Sequence, residues 1–295
     1  MRRLAEPTNK CKTMKKFTLL IILITSSNTL FGQATYSDNE TKEIIQMMVD
    51  AHGGVDAWNN VEAIRFTKKA TPRMQNGELT PNPWITEETV HLKTERVIIK
   101  IKDDGGLIVK NGEEIWDLNV SEQKKKVVTP AMLSLMTFKF TNMPWLTQQR
   151  GVVLEEAKLE KLPNENKLYY SIKMTFGDEF GYAIGDFYRL FIDPDSYQLK
   201  AISFSINMSK FVPGGPQTPE MVHVFNKYSN VSGLLFPTRY YTYPLTLAKV
   251  EGNHSYGAVH EVWDWELLSN FDEARMKKPE GASAVKDEFK KGAAK

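Results

Sequence analysis

Cysteine is the scarcest residue in this chain of 295, represented by Cys11 alone. One thiol closes no disulfide within the chain, so a hydrophobic core has to hold the fold together. No G-x-S-x-G occurs, and with it the nucleophile that an H-G-G oxyanion hole serves is missing. The triplet His52-Gly53-Gly54 therefore reads as a helix stop followed by a turn. Neither G-x-G-x-x-G nor a P-loop is present, which removes the glycine-rich cradles for nucleotide phosphates. The five histidines, His52, His91, His223, His254 and His260, form no H-x-x-x-H or H-E-x-x-H pair, so their spacing supports no metal site. Neighbouring acids such as Glu87–Glu88 point to opposite faces of a strand and do not make the facing pair that glycoside cleavage needs. No catalytic residue, metal or cofactor is assigned.

Long apolar runs are few. One covers Phe17–Ile24, after Lys15 and Lys16, and leads through a polar stretch to Gly32. That is the layout of a secretory signal peptide over residues 1–32, with cleavage leaving Gln33 first. The run is too short for a spanning helix, which takes about 20 residues. Residues 1–13 precede the basic segment, and Met14 is a second candidate start. Cys11 lies before the apolar run, whereas a lipoprotein signal places its cysteine after it. Residues 1–32 hold six basic side chains and one acid, which leaves 32 basic and 35 acidic residues and a formal charge of −3. Nucleic-acid binding, which wants a basic stripe, has no support. The expectation is an exported protein, periplasmic or secreted.

Past the leader, a single domain is expected over 33–272. Ser37-Asp38-Asn39-Glu40 has capping-box spacing, with Ser37 as the cap. Ile44, Ile45, Met48 and Ala51 then line one helical face, and Asp56–Asn60 make one further turn packed by Trp58. Beyond that the dominant period is two. Leu168, Tyr170, Ile172, Met174 and Phe176 alternate with polar or amphipathic neighbours, and Trp263, Trp265 and Leu267 alternate with Val262, Asp264 and Glu266. Further strands are predicted at Thr89–Lys102, Leu107–Val109, Glu114–Leu118, Asp186–Ile192, Leu199–Ile206, Val222–Tyr228 and Phe236–Tyr243. Short turns at Lys110–Glu114, Asp193–Ser196 and Ser232–Gly233 separate several of them. Thr129–Gly151 breaks the rhythm and reads as a short helix, then an irregular apolar stretch. Residues 273–295 read as a solvated, flexible charged tail.

Aromatic residues and methionine are plentiful: six Trp, eleven Tyr, fifteen Phe and twelve Met. They fit a filled core, or a core with an adaptable apolar cavity beneath the 129–151 segment. Candidate lining residues are Trp84, Trp116, Met132, Leu135, Met136, Phe138, Phe140, Trp145, Tyr170, Phe176 and Phe204.

The order of "AHGGVDAWNNVEAIRF", "VKNGEEIWDL", "NMPWLTQQRGVVLEE", "FIDPDSYQLKAISF" and "SGLLFPTRYYTY" resembles an uncharacterised family of secreted bacterial proteins related to the outer-membrane lipoprotein carriers (the LolA/LppX-like superfamily). The resemblance covers about Glu43 to Phe271. It implies a mainly β, α+β fold, in which a strongly curved antiparallel sheet forms an unclosed half-barrel. An N-terminal helix (Glu43–His52) and a helical lid (Met132–Trp145) would cover its concave face. It further implies an apolar ligand, a lipid or acyl chain, and a polar group inside the cavity, for which Arg65, Arg189 and Arg239 are the candidates. The leading expectation is a non-catalytic carrier with a lipid or other hydrophobic small molecule as partner and transient contact with a membrane surface. A secreted hydrolase with a site not visible in sequence, or an envelope interaction module, stays open beside it. N-terminal sequencing of the exported protein is expected to start at Gln33, and a chain beginning at Met1 would contradict the leader.

Overall fold

The computed structural model describes residues 34–74, 77–163, 165–177, 186–206, 218–245 and 257–285. The segment read as a leader, 1–32, most of the loop 211–219 and residues 286–295 lie outside them. In chain order come β1 (Thr35–Tyr36), α1 (Asn39–Ala51), α2 (Gly54–Asn59), β2 (Ala63–Pro72), β3 (Trp84–His91), β4 (Arg96–Ile101), β5 (Leu107–Asn111) and β6 (Glu114–Leu118). Next are two helices, α3 (Glu122–Val127) and α4 (Pro130–Leu146). The second run of strands is β7 (Val152–Leu154), β8 (Lys158–Lys161), β9 (Leu168–Phe176), β10 (Phe187–Ile192), β11 (Leu199–Ser205), β12 (Met221–Val231), β13 (Leu234–Pro244) and β14 (Ala258–Leu268). A 3-10 turn (Glu273–Met276) and β15 (Ser283–Val285) complete it.

All strands join one sheet, ordered β1-β7-β9-β10-β11-β12-β13-β14-β2-β3-β4-β5-β6-β15, with β8 beside β9. Two meanders meet where β14 pairs with β2. Every pairing is antiparallel except β1 with β7. The two ends of this order do not pair, so the curved sheet is unclosed, as the resemblance implied. The main core lies on the inner face, where alternate residues such as Ile64, Ile99, Ile172 and Leu190 meet α1 and α4. The outer face carries two smaller clusters, one around Trp116 and Phe271, the other around Tyr169 and Phe191.

Four local expectations change. The cap of α1 is Asp38, whose carboxylate accepts from Thr41 N–H at 2.7 Å, while Ser37 Oγ donates to Asp38; an ionised acceptor suits the positive helix end better than a hydroxyl. The single strand predicted over Thr89–Lys102 is a hairpin, because the His91 ring folds back and its Nδ1 accepts from Lys93 and Thr94 N–H, each at 3.2 Å. Thr129–Leu146 is one capped helix with no irregular half. Thr129 Oγ1 accepts from Met132 N–H at 3.1 Å, Pro130 opens the helix, where a missing N–H costs least, and Pro144 lies inside it near the C-terminal end. The tail reading fails over 273–285, since β15 pairs with β6 and Met276 is buried against the outer face; a three-residue strand rich in small side chains leaves little periodic signal.

A fifth change reverses a face. Asp264 has φ 55° and the β14–β2 register shifts between Trp263 and Glu266, so one residue is bulged out. Val262 and Trp265 both turn inward, while Trp263 is 38% exposed on the outer face. Strict alternation placed Trp263 with Trp265, and the bulge separates them.

The His52-Gly53-Gly54 joint is a docking point. Gly53 and Gly54 have φ of 109° and 80°. A Cβ on Gly53 would stand 2.4 Å from Gly233 O in the β12–β13 turn, and Leu235 N–H donates to His52 O at 3.1 Å. That turn is Ser232–Gly233, both left-handed, as a two-residue hairpin requires. Gly53→Ala therefore combines a left-handed alanine with a backbone clash, and urea unfolding should show a loss of about 2–4 kcal/mol.

Candidate functional site

Helix α4 is buried on more than one side. It packs on β3, β4, β5, β6 and α1, and its other side faces a cavity of about 310 Å³. Leu133, Met136, Thr137, Phe140 and Thr141 supply the helical wall; their spacing of three and four puts them on one stripe. The sheet supplies the opposite wall from alternate positions: Phe66, Lys68 and Ala70 of β2, Phe236 and Tyr240 of β13, and Val262 and Trp265 of β14. Trp84 and Glu88 of β3 join them, and Val127 of α3, 71% exposed, stands at the rim. The hollow forms because α4 seats on one meander, and the strands beyond β2 curve past it with no second helix beneath them among the described residues.

Most of this lining is apolar, and one end is not. Glu88 is fully buried and takes three donors: Lys68 Nζ at 2.6 Å, Thr86 Oγ1 at 2.7 Å and Thr137 Oγ1 at 2.9 Å. Nearby, Thr242 Oγ1 lies 2.7 Å from His223 Nδ1 and 2.9 Å from His260 Nε2. His260 stacks on Tyr240 at 4.3 Å, and Phe140 meets His223 edge-on at 4.2 Å. Burial, reinforced by the Lys68 ammonium, lowers the His223 pKa to about 3. Burial, His223 and Lys68 hold His260 well below the usual imidazole range. Both rings are neutral at pH 7. No group of His, Cys, Asp and Glu among the described residues is arranged to hold a metal ion.

Trp84, Met136 and Phe140 line this cavity, and the other candidates stand apart from it. Leu135, Phe138 and Trp145 fill the core on the remaining sides of α4, and Met132 packs at its edge. Trp116 is on the outer face. Phe204 backs the cavity, 4.9 Å from Phe140. Tyr170 stacks on Tyr197, and Phe176 lies edge-on to Tyr188 beneath Lys139. The three arginines face outward at odd strand positions, so none serves the cavity. Arg65 pairs with Glu266, Arg189 lies 3.5 Å from Glu160, and Arg239 sits over Tyr241. Lys68, Glu88, His223, Thr242 and His260 are the polar groups that sequence reasoning missed. The available signal was a charged or imidazole residue on the apolar register of its strand.

No family profile matches the sequence, and no curated protein does. In structure the chain is similar to a LolA superfamily protein from Nitrosomonas europaea, at 12% identity and TM-score 0.49 over 80% of this chain and 97% of that one. A DUF1329 family protein from Desulfovibrio piger stands at 9% identity and TM-score 0.49, over 81% and 98%. An outer-membrane lipoprotein-sorting protein domain from Vibrio parahaemolyticus stands at 10% and 0.46, over 81% and 97%. The likeness is one of fold. No helix among the described residues is long and apolar enough to cross a membrane.

His52 at the joint is also neutral: burial lowers its pKa from 6.5 to about 4, against the raising effect of its hydrogen bond to Met48 O. Desolvation thus outweighs the helix-end attraction expected for a protonated ring. Below about pH 6.5 the unfolded chain takes up protons that His52 and His223 refuse in the fold, so stability falls as pH drops, by up to about 1.4 kcal/mol per pH unit for each ring. The loss for His52 is complete near its folded pKa of about 4. Urea midpoints measured from neutral pH downward should fall, and His52→Leu should flatten the slope.

Proposed function

We propose that this chain is an exported, non-catalytic binding protein that carries an apolar small molecule, a lipid or acyl chain, between α4 and the sheet. The observation that supports the reading is the cavity itself. Its volume of about 310 Å³ lies at the small end of the range of about 300–1,000 Å³ typical of ligand sites. Phe66, Leu133, Met136, Phe140, Phe236 and Trp265 give it an aromatic and methionine lining, of the kind that adapts to flexible apolar ligands. Trp84 and Val127 stand toward its α3 side, where a ligand enters. The leader expected over residues 1–32 takes the chain out of the cytoplasm, where such a ligand needs a soluble carrier between membranes.

A hydrolase reading draws on the Thr242 hydroxyl between two imidazoles. Its nucleophile has imidazoles within reach, but the Glu88 carboxylate that could orient such a base is occupied by Lys68, Thr86 and Thr137. Ester turnover abolished by Thr242→Val would favour that alternative.

Native mass spectrometry of the purified protein should show a co-purified apolar mass, and the delipidated protein should bind the neutral dye Nile red. Ala70 faces the cavity opposite Trp84 on β3. Ala70→Phe fills the space and should weaken dye binding at least about tenfold, some 1.4 kcal/mol, with the unfolding midpoint near that of the unaltered chain. No co-purified ligand together with no dye binding would defeat the proposal.

A further inference from the structure

An aliphatic chain alone has no use for the polar end of the cavity. There Thr242 Oγ1 lies within hydrogen-bond distance of both His223 Nδ1 and His260 Nε2. A hydroxyl has one hydrogen, so it donates to one ring and accepts from the other. In either arrangement the nitrogens facing Thr242 are used, and His260 Nδ1 is left over. It is buried and has no hydrogen-bond partner among the described residues. Trp265 Nε1, on another lining residue of the same strand, is a second buried polar atom without one. Stacking holds both rings in place, His260 on Tyr240 at 4.3 Å and Trp265 on Phe236 at 4.4 Å. A buried polar atom lacking a partner is costly, and a ligand that supplies the partner is favoured.

Charge at this end is already balanced. Lys68 is the only Lys or Arg among the described cavity-lining residues, and its ammonium sits 2.6 Å from Glu88. An anionic headgroup brought to Lys68 meets the Glu88 carboxylate beside it. The two imidazoles add no positive charge, because burial keeps both neutral.

Resting on the carrier reading, we propose that the ligand is an apolar molecule bearing a hydroxyl, seated against His260 Nδ1, and that the cavity disfavours ionised headgroups. A hydroxyl suits either tautomer of His260, since it donates to a bare Nδ1 or accepts from a protonated one. The neighbouring Lys68–Glu88 pair is balanced and offers no free countercharge, so a buried carboxylate loses its hydration without compensation while an alcohol does not.

Displacement of Nile red by decan-1-ol, decanoate and decane tests this at about pH 8, where the carboxylate is ionised. Decan-1-ol should bind about tenfold more tightly than either of the others. His260→Phe keeps a ring on Tyr240 and removes both ring nitrogens; it should erase the advantage of the alcohol over decane. Glu88→Gln frees Lys68 and should tighten decanoate binding about tenfold. Decanoate equal to or better than decan-1-ol on the unaltered protein would overturn the proposal, and that comparison needs no variant. Equal displacement by all three would overturn the hydroxyl preference and leave the carrier reading standing. A failure of Nile red itself to bind, with no co-purified ligand, would remove the carrier reading instead.

Discussion

The stack of Trp58 on Trp145 holds the rest in place. Their ring centroids are 3.8 Å apart and nearly parallel, and the Trp145 indole N–H donates to Gly54 O at 3.2 Å. Trp145 belongs to the last turn of α4, Trp58 to α2, and Gly54 to the joint that docks on the β12–β13 turn. One contact therefore ties the end of the long helix to both the N-terminal helices and the second meander. With that end pinned and the body of α4 seated on β3–β6, its Leu133–Thr141 stripe faces the cavity and meets the sheet where Phe140 touches His223 and Thr137 bonds Glu88. The cavity is the space this geometry leaves, and its width depends on a stack some distance from it.

The same geometry sorts charge by face. Outward positions carry exposed pairs such as Lys69–Glu261 and Lys100–Glu87, each worth little in water. Inside, Lys68–Glu88 is shielded, and its retention depends on the two threonine hydroxyls that complete the Glu88 carboxylate. The histidines around it are neutral because burial disfavours the imidazolium form. A mostly apolar pocket thus contains polar atoms without net charge.

Much of the fold was legible in the sequence because strand and helix periods are local properties. The span Leu168–Phe176 matches its strand, the Lys110–Glu114, Asp193–Ser196 and Ser232–Gly233 turns lie where their residues put them, and Gly53 stops α1. Expectations failed where one residue changed the count. The Asp264 bulge sent Trp263 outward, and the His91 ring bent a long strand into a hairpin. The cavity was less legible. Hydrophobicity selected Leu135, Phe138 and Trp145 together with Met136 and Phe140, because every side of α4 is apolar. Only the packing of that helix distinguishes the side that meets the sheet from the side that meets open space.

By itself the sequence determined the class of the protein: a chain without internal disulfides, built from period-two strands behind one N-terminal helix, with no motif for nucleotide, metal or serine chemistry. Tertiary structure decided the site. It brought His223, Thr242 and His260 together from three adjacent strands and set Lys68 against Glu88 across β2 and β3. It turned the three candidate arginines away. Strand pairing joins residues far apart in the chain, and its register decides which of two faces each side chain reaches. A single bulge shifts that register, and no local pattern announces it.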